Sequence, residues 1–182
     1  LGPAGANLVD LFFLADNTGS MGGIVTNAKN GANAILNNLN SAIDYNFGVG
    51  RYLGDPREGV SASTAYTQNT AMTSSKTAAV SGINSWFASG GGDWPEANLY
   101  ALKRVANEAA WRTGSQRLVV WFGDAAGWET TTSTAQAIAA LLGMVDYSTA
   151  HSAFMTTAYP KQEIRNTLGE WVAARGKTQL RL

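Results

Sequence analysis

Two nearly continuous apolar runs dominate the hydrophobic pattern of the chain. The first covers residues 8–14, "LVDLFFL", and the second covers residues 116–123, "QRLVVWFG". A half-exposed strand would alternate polar and apolar residues, whereas such runs are typical of strands that are covered on both faces of a sheet. An acid follows closely on each run, Asp16 after the first and Asp124 after the second.

Weaker patterns predict two more strands and four helices. The segment 45–53, "YNFGVGRYL", alternates as strands do, and 65–73, "AYTQNTAMT", is predicted to be its neighbour at the sheet edge, because Gly, Pro and Asp form a turn between them. Pro95 is expected in the first turn of the third helix, and Ser133 or Thr134 is expected to cap the fourth. Apolar residues at helical spacing predict the helices within 22–43, 75–89, 95–111 and 133–143.

This alternation of strands and helices predicts an α/β fold. We expect a three-layer, doubly wound, Rossmann-like sheet that is mostly parallel, with one antiparallel edge strand and helices on both faces. The two most apolar strands should be central, because they need cover on both sides. Near the end of the chain, 144–150 is predicted to be another central strand, and 160–182 fits an amphipathic helix followed by a short strand.

Composition narrows the functional classes. The 182 residues fit a single domain, 1–182. The 13 basic and 13 acidic side chains balance, so no overall charge attracts nucleic acid or an anionic membrane. The chain has no cysteine, which excludes thiolate metal sites and disulfides, and it has no apolar run near the roughly 20 residues that span a bilayer. It starts with Leu1 and not with methionine, so we interpret the chain as a processed or trimmed part of a larger protein.

Oxygen-bearing side chains follow three of the predicted elements. Asp16, Thr18 and Ser20 come at alternate positions after the first strand, Asp124 ends the other apolar strand, and Asp93 lies in the glycine-rich segment "SGGGDWPEAN". In an open α/β sheet, the loops at the carboxyl ends of the strands meet and bind ligands. A donor set of oxygens without histidine or cysteine favours Mg²⁺, Ca²⁺ or Mn²⁺ over zinc and copper. These residues therefore predict a site for one divalent cation.

The segment "DNTGSMG" resembles the D-x-[ST]-x-S metal-ion-dependent adhesion motif of von Willebrand factor type A domains. "FGVGRY", "SGGGDWPEANLYAL" and "VVWFGDA" are similar to bacterial members and to the integrin β-like branch of that family. The resemblance covers about residues 7–145, which leaves 146–182 as a divergent or artificially appended tail. It implies that Thr18 and Ser20 bind the metal directly, that Asp16 and Asp124 support them, often through water, and that Asp93 takes the middle-loop role.

The sequence also departs from that family. Integrin β subunits carry further acids after the first motif, whereas this chain has Met21 followed by two glycines, so we expect no second metal next to the first. Many relatives have threonine in the middle loop, and an acid at Asp93 makes calcium more favourable. Trp94 and Trp128 stand beside two of the metal loops, and they either form a ligand-binding rim or pack the loops.

Simpler interpretations of the same acids remain open. Asp16 and Asp93 can each cap a helix, and Glu96 can be a first-turn acid stabilised by the helix dipole or a contributor to the site. His151 is the only histidine and lies beyond the recognised region, which argues against a Ser-His-Asp triad.

The expected function is a metal-dependent binding or adhesion module and not an enzyme. In this class of protein the cation binds a carboxylate of a protein or other ligand. By resemblance, we expect the chain to be secreted or displayed at the surface of a bacterium. The alternatives are a scaffold domain with a stabilising metal and, less favoured, a metal-assisted hydrolase.

Overall fold

The computed structural model describes residues 8–92, 95–143 and, for the backbone alone, 154–156. Asp93, Trp94, the predicted strand 144–150, His151 and the predicted helix and strand within 160–182 lie outside the described residues. The described strands are β1 (Leu8–Asp16), β2 (Asp44–Tyr52), β3 (Tyr66–Thr73), β4 (Gln116–Phe122) and β5 (Phe154–Thr156), and the helices are α1 (Val25–Asn37), α2 (Ala62–Ala65), α3 (Lys76–Asn84), α4 (Asn98–Glu108) and α5 (Thr134–Gly143).

The five strands form one mixed sheet in the order β3-β2-β1-β4-β5. β1 runs parallel to both β2 and β4, β5 runs parallel to β4, and β3 is an antiparallel edge strand against β2. The predicted fold class, the antiparallel edge and the inner positions of the two most apolar strands are confirmed. The short strand β5 was not predicted, since its three residues carry no pattern that marks a strand.

Helices cover both faces of the sheet, and this explains the apolar run at residues 11–15 of β1. Phe13 packs into the cluster that α1 and α3 form on one face, while Phe12 and Leu14 pack into the cluster that α4 forms on the other. All three side chains are fully buried. Successive side chains of a strand point to opposite faces, so the part of a strand that helices cover on both sides has apolar residues at consecutive positions.

Two helices differ from the prediction at their starts. α1 begins at Val25, after a short 3-10 turn at Gly19–Gly23. α4 begins at Asn98 and its cap is Ala97, so Pro95 is not in its first turn and Glu96 is not a first-turn acid. The predicted cap of α5 is confirmed for Ser133, whose hydroxyl accepts a hydrogen bond from the Gln136 amide at 3.2 Å. Within the described chain, no helix has the length and apolar character needed to cross a membrane.

Candidate metal site

The carboxyl ends of β1, β2 and β4 lie at one edge of the sheet because the three strands are parallel. The loop after β1 is fixed there by main-chain hydrogen bonds to two other segments. The Asn17 amide donates to the Tyr52 carbonyl at 3.0 Å, and the Asn17 carbonyl accepts from the Ser89 amide at 2.9 Å. The Gly19 amide then donates to the Gly90 carbonyl at 2.8 Å. The backbone that carries the predicted ligands is thus held on both sides.

Four of the five predicted metal residues form one chain of polar contacts. Asp16 Oδ1 accepts from the Thr18 amide at 2.8 Å and from the Thr18 hydroxyl at 2.7 Å. The Thr18 and Ser20 hydroxyl oxygens lie 3.1 Å apart, and the Ser20 hydroxyl donates to Asp124 Oδ1 at 3.1 Å. The structure therefore brings the residues after β1 together with the residue after β4. The fifth, Asp93, is outside the described residues.

Burial changes steeply along this chain of polar contacts. Asp16 is 0% exposed and Thr18 is 1% exposed. Asp124 is half-buried, and Ser20 is exposed. The site therefore has a buried base, formed by Asp16 and Thr18, and an outer side that solvent or a partner molecule can reach.

The glycine-rich segment closes against the first loop, as expected from its sequence. Gly90 and Gly91 adopt positive φ values of 64° and 77°, which side chains rarely tolerate. A Cβ atom at Gly91 would lie 3.0 Å from Thr18 Cβ and 3.6 Å from Glu96 Oε1. Glycine thus allows this backbone to approach Thr18 and Glu96 at the same point.

Glu96 belongs to this site, and the helical pattern obscured it. Its amide donates to the Ala126 carbonyl at 2.8 Å, and its carbonyl accepts from the Trp128 amide at 2.9 Å. The segment therefore pairs with the loop after β4, parallel to Gly127, before α4 begins. A side chain at Gly127 would overlap Asn98 and Leu99. Glycine at this position is therefore the sequence signal that the loop after β4 packs closely against the start of α4. Glu96 is 6% exposed.

Burial and neighbouring charge make the ionised acids of the site costly without a cation. Burial raises the pKa of Asp16 to about 6, and the charge of Asp124 adds to this, while hydrogen bonds from Thr18 and the proximity of the Tyr52 hydroxyl lower it. Burial also raises the pKa of Glu96 to about 7, followed by the charges of Asp16, Glu58 and Asp124, against a hydrogen bond from Thr18. Desolvation and like charges both disfavour a carboxylate. A divalent cation at this position would reverse both effects.

The residues present fit a hard divalent cation. The buried Asp16 Oδ2 has no hydrogen-bond partner among the described atoms, and the groups around it are hydroxyls and carboxylates. Within residues 8–92 and 95–143, no three acidic or histidine side chains converge as a metal-binding group. A cation would therefore depend on the Thr18 and Ser20 hydroxyls together with the carboxylates.

Trp128, a predicted rim residue, is half-buried. The Arg57 guanidinium carbon lies 3.2 Å from the centroid of its ring, so the side chain is covered by a cation rather than free. Its amide is tied to Glu96, as described above. This placement keeps Trp128 beside the site, and its contact with a ligand stays a prediction. The other rim residue, Trp94, is outside the described residues.

Comparison with solved structures identifies the class of fold. Two structures of proximal thread matrix protein 1 from the mussel byssus align with 88% of this chain and 39% of their own chains. Their TM-scores are 0.61 and 0.60, and their sequence identities are 18% and 19%. The second is described as having a zinc-occupied MIDAS motif. The chain therefore has a fold like that of von Willebrand factor type A domains.

Sequence comparison finds short matches to a different protein. No protein-family model matches the chain. A segment of 54 residues, 30% of the chain, is 65% identical to 2,3-bisphosphoglycerate-independent phosphoglycerate mutase of Ruegeria sp. (strain TM1040), and the corresponding enzyme of Agrobacterium fabrum is 71% identical over 45 residues. The matched segments span only 11% and 9% of those enzymes. So short a match does not carry their activity to this chain.

Proposed function

We propose that this chain is a divalent-metal-dependent binding module that recognises an acidic group of its partner and performs no catalysis. The observation that carries the proposal is the chain of polar contacts from Asp16 through Thr18 and Ser20 to Asp124, buried at one end and open at the other. The fold shared with a protein whose MIDAS motif is described as zinc-occupied supports it.

The residues that would hold the cation are those that form this chain of polar contacts. The Thr18 and Ser20 hydroxyls would bind it directly, and Asp16 and Asp124 would support it directly or through water. The middle loop offers two acids, Asp93 and Glu96. Oxygen donors favour Mg²⁺, Ca²⁺ or Mn²⁺. Because the structural neighbour is described with zinc, the affinity for Zn²⁺ should be measured together with that for these three ions.

The nature of the partner follows from the charge of such a site. Hydroxyl ligands are neutral, so they leave more positive charge on a divalent cation than carboxylate ligands would. The exposed side at Ser20 lets an anionic group approach. A carboxylate from a protein or another ligand is the natural partner, as in the family that the sequence resembles. We further propose that the chain is a bacterial, integrin β-like module of a larger protein that is secreted or held at the cell surface.

A scaffold role is the second candidate. The structural neighbours are named as matrix proteins, and a metal at this site would tie together loops from three parts of the chain. In that case the metal would stabilise the fold without creating an affinity for a partner. A metal-assisted hydrolase is the least supported alternative, because the described acids are already engaged in the proposed site.

Capture of defined peptides separates these possibilities. The chain is incubated with a library of short peptides that each contain one Asp, and with a matched library in which Asn replaces that Asp. We expect capture of the Asp library alone, in Mg²⁺, Ca²⁺ or Mn²⁺ and not in EDTA. Equal capture of both libraries would contradict carboxylate recognition. A metal-dependent rise in melting temperature without any capture would instead support the scaffold.

A further inference from the structure

Tyr52 lies directly behind the candidate metal site. It is the last residue of β2 and the register partner of Asp16 in the parallel pairing with β1. Its side chain is fully buried in the apolar cluster on the α4 face. The Tyr52 carbonyl also accepts the Asn17 amide, so the same residue fixes the start of the metal loop.

The Tyr52 hydroxyl accepts a hydrogen bond from an indole N–H group. Trp121 Nε1 donates to Tyr52 Oη at 3.0 Å in a buried hydrogen bond. An indole N–H can only donate, so the tyrosine oxygen is the acceptor, and its own hydrogen is left for another group. Asp16 is the register partner of Tyr52, so the two side chains lie next to each other on the same face of the sheet. The hydrogen bond from Trp121 therefore leaves the Tyr52 hydrogen available to the Asp16 carboxyl group.

Asp16 needs this donor because Thr18 serves only one of its two oxygens. Both hydrogen bonds from Thr18 reach Oδ1. Oδ2 is buried and accepts no hydrogen bond in the described part of the chain. The Tyr52 hydroxyl is the donor on the strand next to it. A buried carboxylate oxygen without a donor or a cation is costly. A hydrogen-bond donor beside Oδ2 would therefore influence the orientation of the Asp16 carboxylate.

Gly123 provides the space for the tyrosine and the indole. A Cβ atom at this position would lie 2.5 Å from Tyr52 Oη and 2.9 Å from Trp121 Nε1. Real Cβ atoms do not approach other atoms so closely, so any other residue would displace the pair. Gly123 immediately precedes Asp124. This position, which must stay small, is therefore next to a second residue of the metal site.

We propose that Tyr52, held by Trp121 and given space by Gly123, is a positioning residue that orients the Asp16 carboxylate for the cation. The inference rests on the proposed function, since it requires that a metal binds. Residues that hydrogen-bond to a metal ligand commonly change metal affinity by about 10- to 100-fold when they are removed. We expect a loss in that range for Tyr52, without any contact between the tyrosine and the partner.

Tyr52→Phe tests the proposal, with Tyr66→Phe as the matched control. Tyr66 lies in the same apolar cluster, is 3% exposed, and has a buried hydroxyl without a partner among the described residues. Both variants lose one buried hydroxyl and keep the ring. Calorimetric titration of the whole chain with Mg²⁺ and with Ca²⁺ should show affinity about 10-fold weaker or worse for Tyr52→Phe, and affinity within about 2-fold of wild type for Tyr66→Phe.

Two further measurements exclude a purely structural role. Circular dichroism and thermal unfolding in EDTA should show Tyr52→Phe folded, so that its weaker affinity does not reflect unfolding. In wild type, the indole N–H resonance of Trp121, assigned with Trp121→Phe, should shift when Mg²⁺ is added, and the shift should disappear in Tyr52→Phe. Wild-type affinity in a folded Tyr52→Phe chain would overturn this inference alone. No metal binding by wild type would overturn it together with the proposed function.

Discussion

The Ser20 hydroxyl donates a hydrogen bond to Asp124 Oδ1 at 3.1 Å across 104 positions of sequence. Ser20 belongs to the turn after β1, and Asp124 follows β4. Because these strands are neighbours and run in parallel, residues that end them meet at the same edge of the sheet. The candidate metal site exists because the two parallel strands bring Ser20 and Asp124 together.

Loss of either carboxylate should remove the metal and leave the fold. We expect Asp16→Ala and Asp124→Ala each to reduce affinity for Mg²⁺ and Ca²⁺ below detection in calorimetric titration. In EDTA, both variants should keep the wild-type circular dichroism spectrum, because neither substitution removes core volume. Asp16→Ala should even be neutral or slightly stabilising there, since it eliminates a buried acid that is costly to ionise. Unchanged metal affinity in both variants would remove the basis of the site.

Asp10 offers the opposite test, because it is a buried acid at the other end of β1. It is 0% exposed, forms an ion pair with the Arg112 guanidinium at 2.6 Å, and accepts the Ser115 hydroxyl at 2.8 Å. Arg112 would keep its ion pair with Asp44, but Asp10→Ala removes hydrogen bonds to a buried charged group, which are worth about 1.5–3 kcal/mol each. We expect Asp10→Ala to lower the free energy of unfolding by an amount of this order in urea titration. Metal affinity of the folded fraction should not change, and a large loss would show that the two ends of β1 are coupled.

Glu96 should contribute to metal affinity although it was not among the predicted ligands. Its carboxyl is buried beside Thr18 and Asp16, and its pKa is raised by burial and then by the charge of Asp16. We expect Glu96→Gln, which keeps the shape and removes the charge, to weaken Ca²⁺ affinity by about 10-fold. Glu129 is exposed and serves as the control, so Glu129→Gln should bind as wild type does. Wild-type affinity in Glu96→Gln would leave the middle-loop role to Asp93.

The raised pKa values predict opposite effects of pH on the metal-free and metal-bound protein. Asp16 titrates at about 6 and Glu96 at about 7 in the folded chain, above their ordinary values. Between about pH 4 and 7 the folded chain therefore binds more protons than the unfolded chain, and metal-free stability should fall as pH rises. Metal requires the ionised acids, so its affinity should rise over the same interval.

Thermal unfolding at about pH 5 and about pH 8 checks both signs. In EDTA, Asp16 and Glu96 should make the melting temperature lower at the higher pH. The stabilisation produced by saturating Mg²⁺ should be larger there. The double variant Asp16→Asn with Glu96→Gln should lose most of both effects. A metal-induced stabilisation that is the same at both pH values would contradict the assignment of these two acids to the site.

The sequence could predict the sheet because the strongest constraints on it are local. β1 and β4 are covered on both faces, and this requirement alone makes their runs apolar. The antiparallel edge strand was predictable from the Gly, Pro and Asp residues that interrupt the strand pattern before it, although the connection also contains α2. The residues Asp16, Thr18, Ser20 and Asp124 could be proposed together because each follows a strand end.

Glu96 could be proposed only as one of two alternatives, and Tyr52 could not be found at all, for two different physical reasons. Glu96 falls on the helical pattern of α4, and only its pairing with the loop at Ala126 and Trp128 holds it outside the helix. Tyr52 looks like an ordinary core aromatic, and its hydroxyl gains meaning only from Trp121, which lies 69 positions away. Both roles are set by contacts between distant segments, and no local pattern records such contacts.

Removal of metal tests the central claim most directly. The whole chain is stripped with EDTA, dialysed into metal-free buffer, and assayed for capture of the Asp-containing peptide library before and after Mg²⁺ or Ca²⁺ is restored. We expect no capture by the stripped chain, capture after metal is restored, and none at any metal concentration for Asp124→Ala. Capture that persists unchanged in the stripped chain, with metal loss verified by elemental analysis, would contradict it.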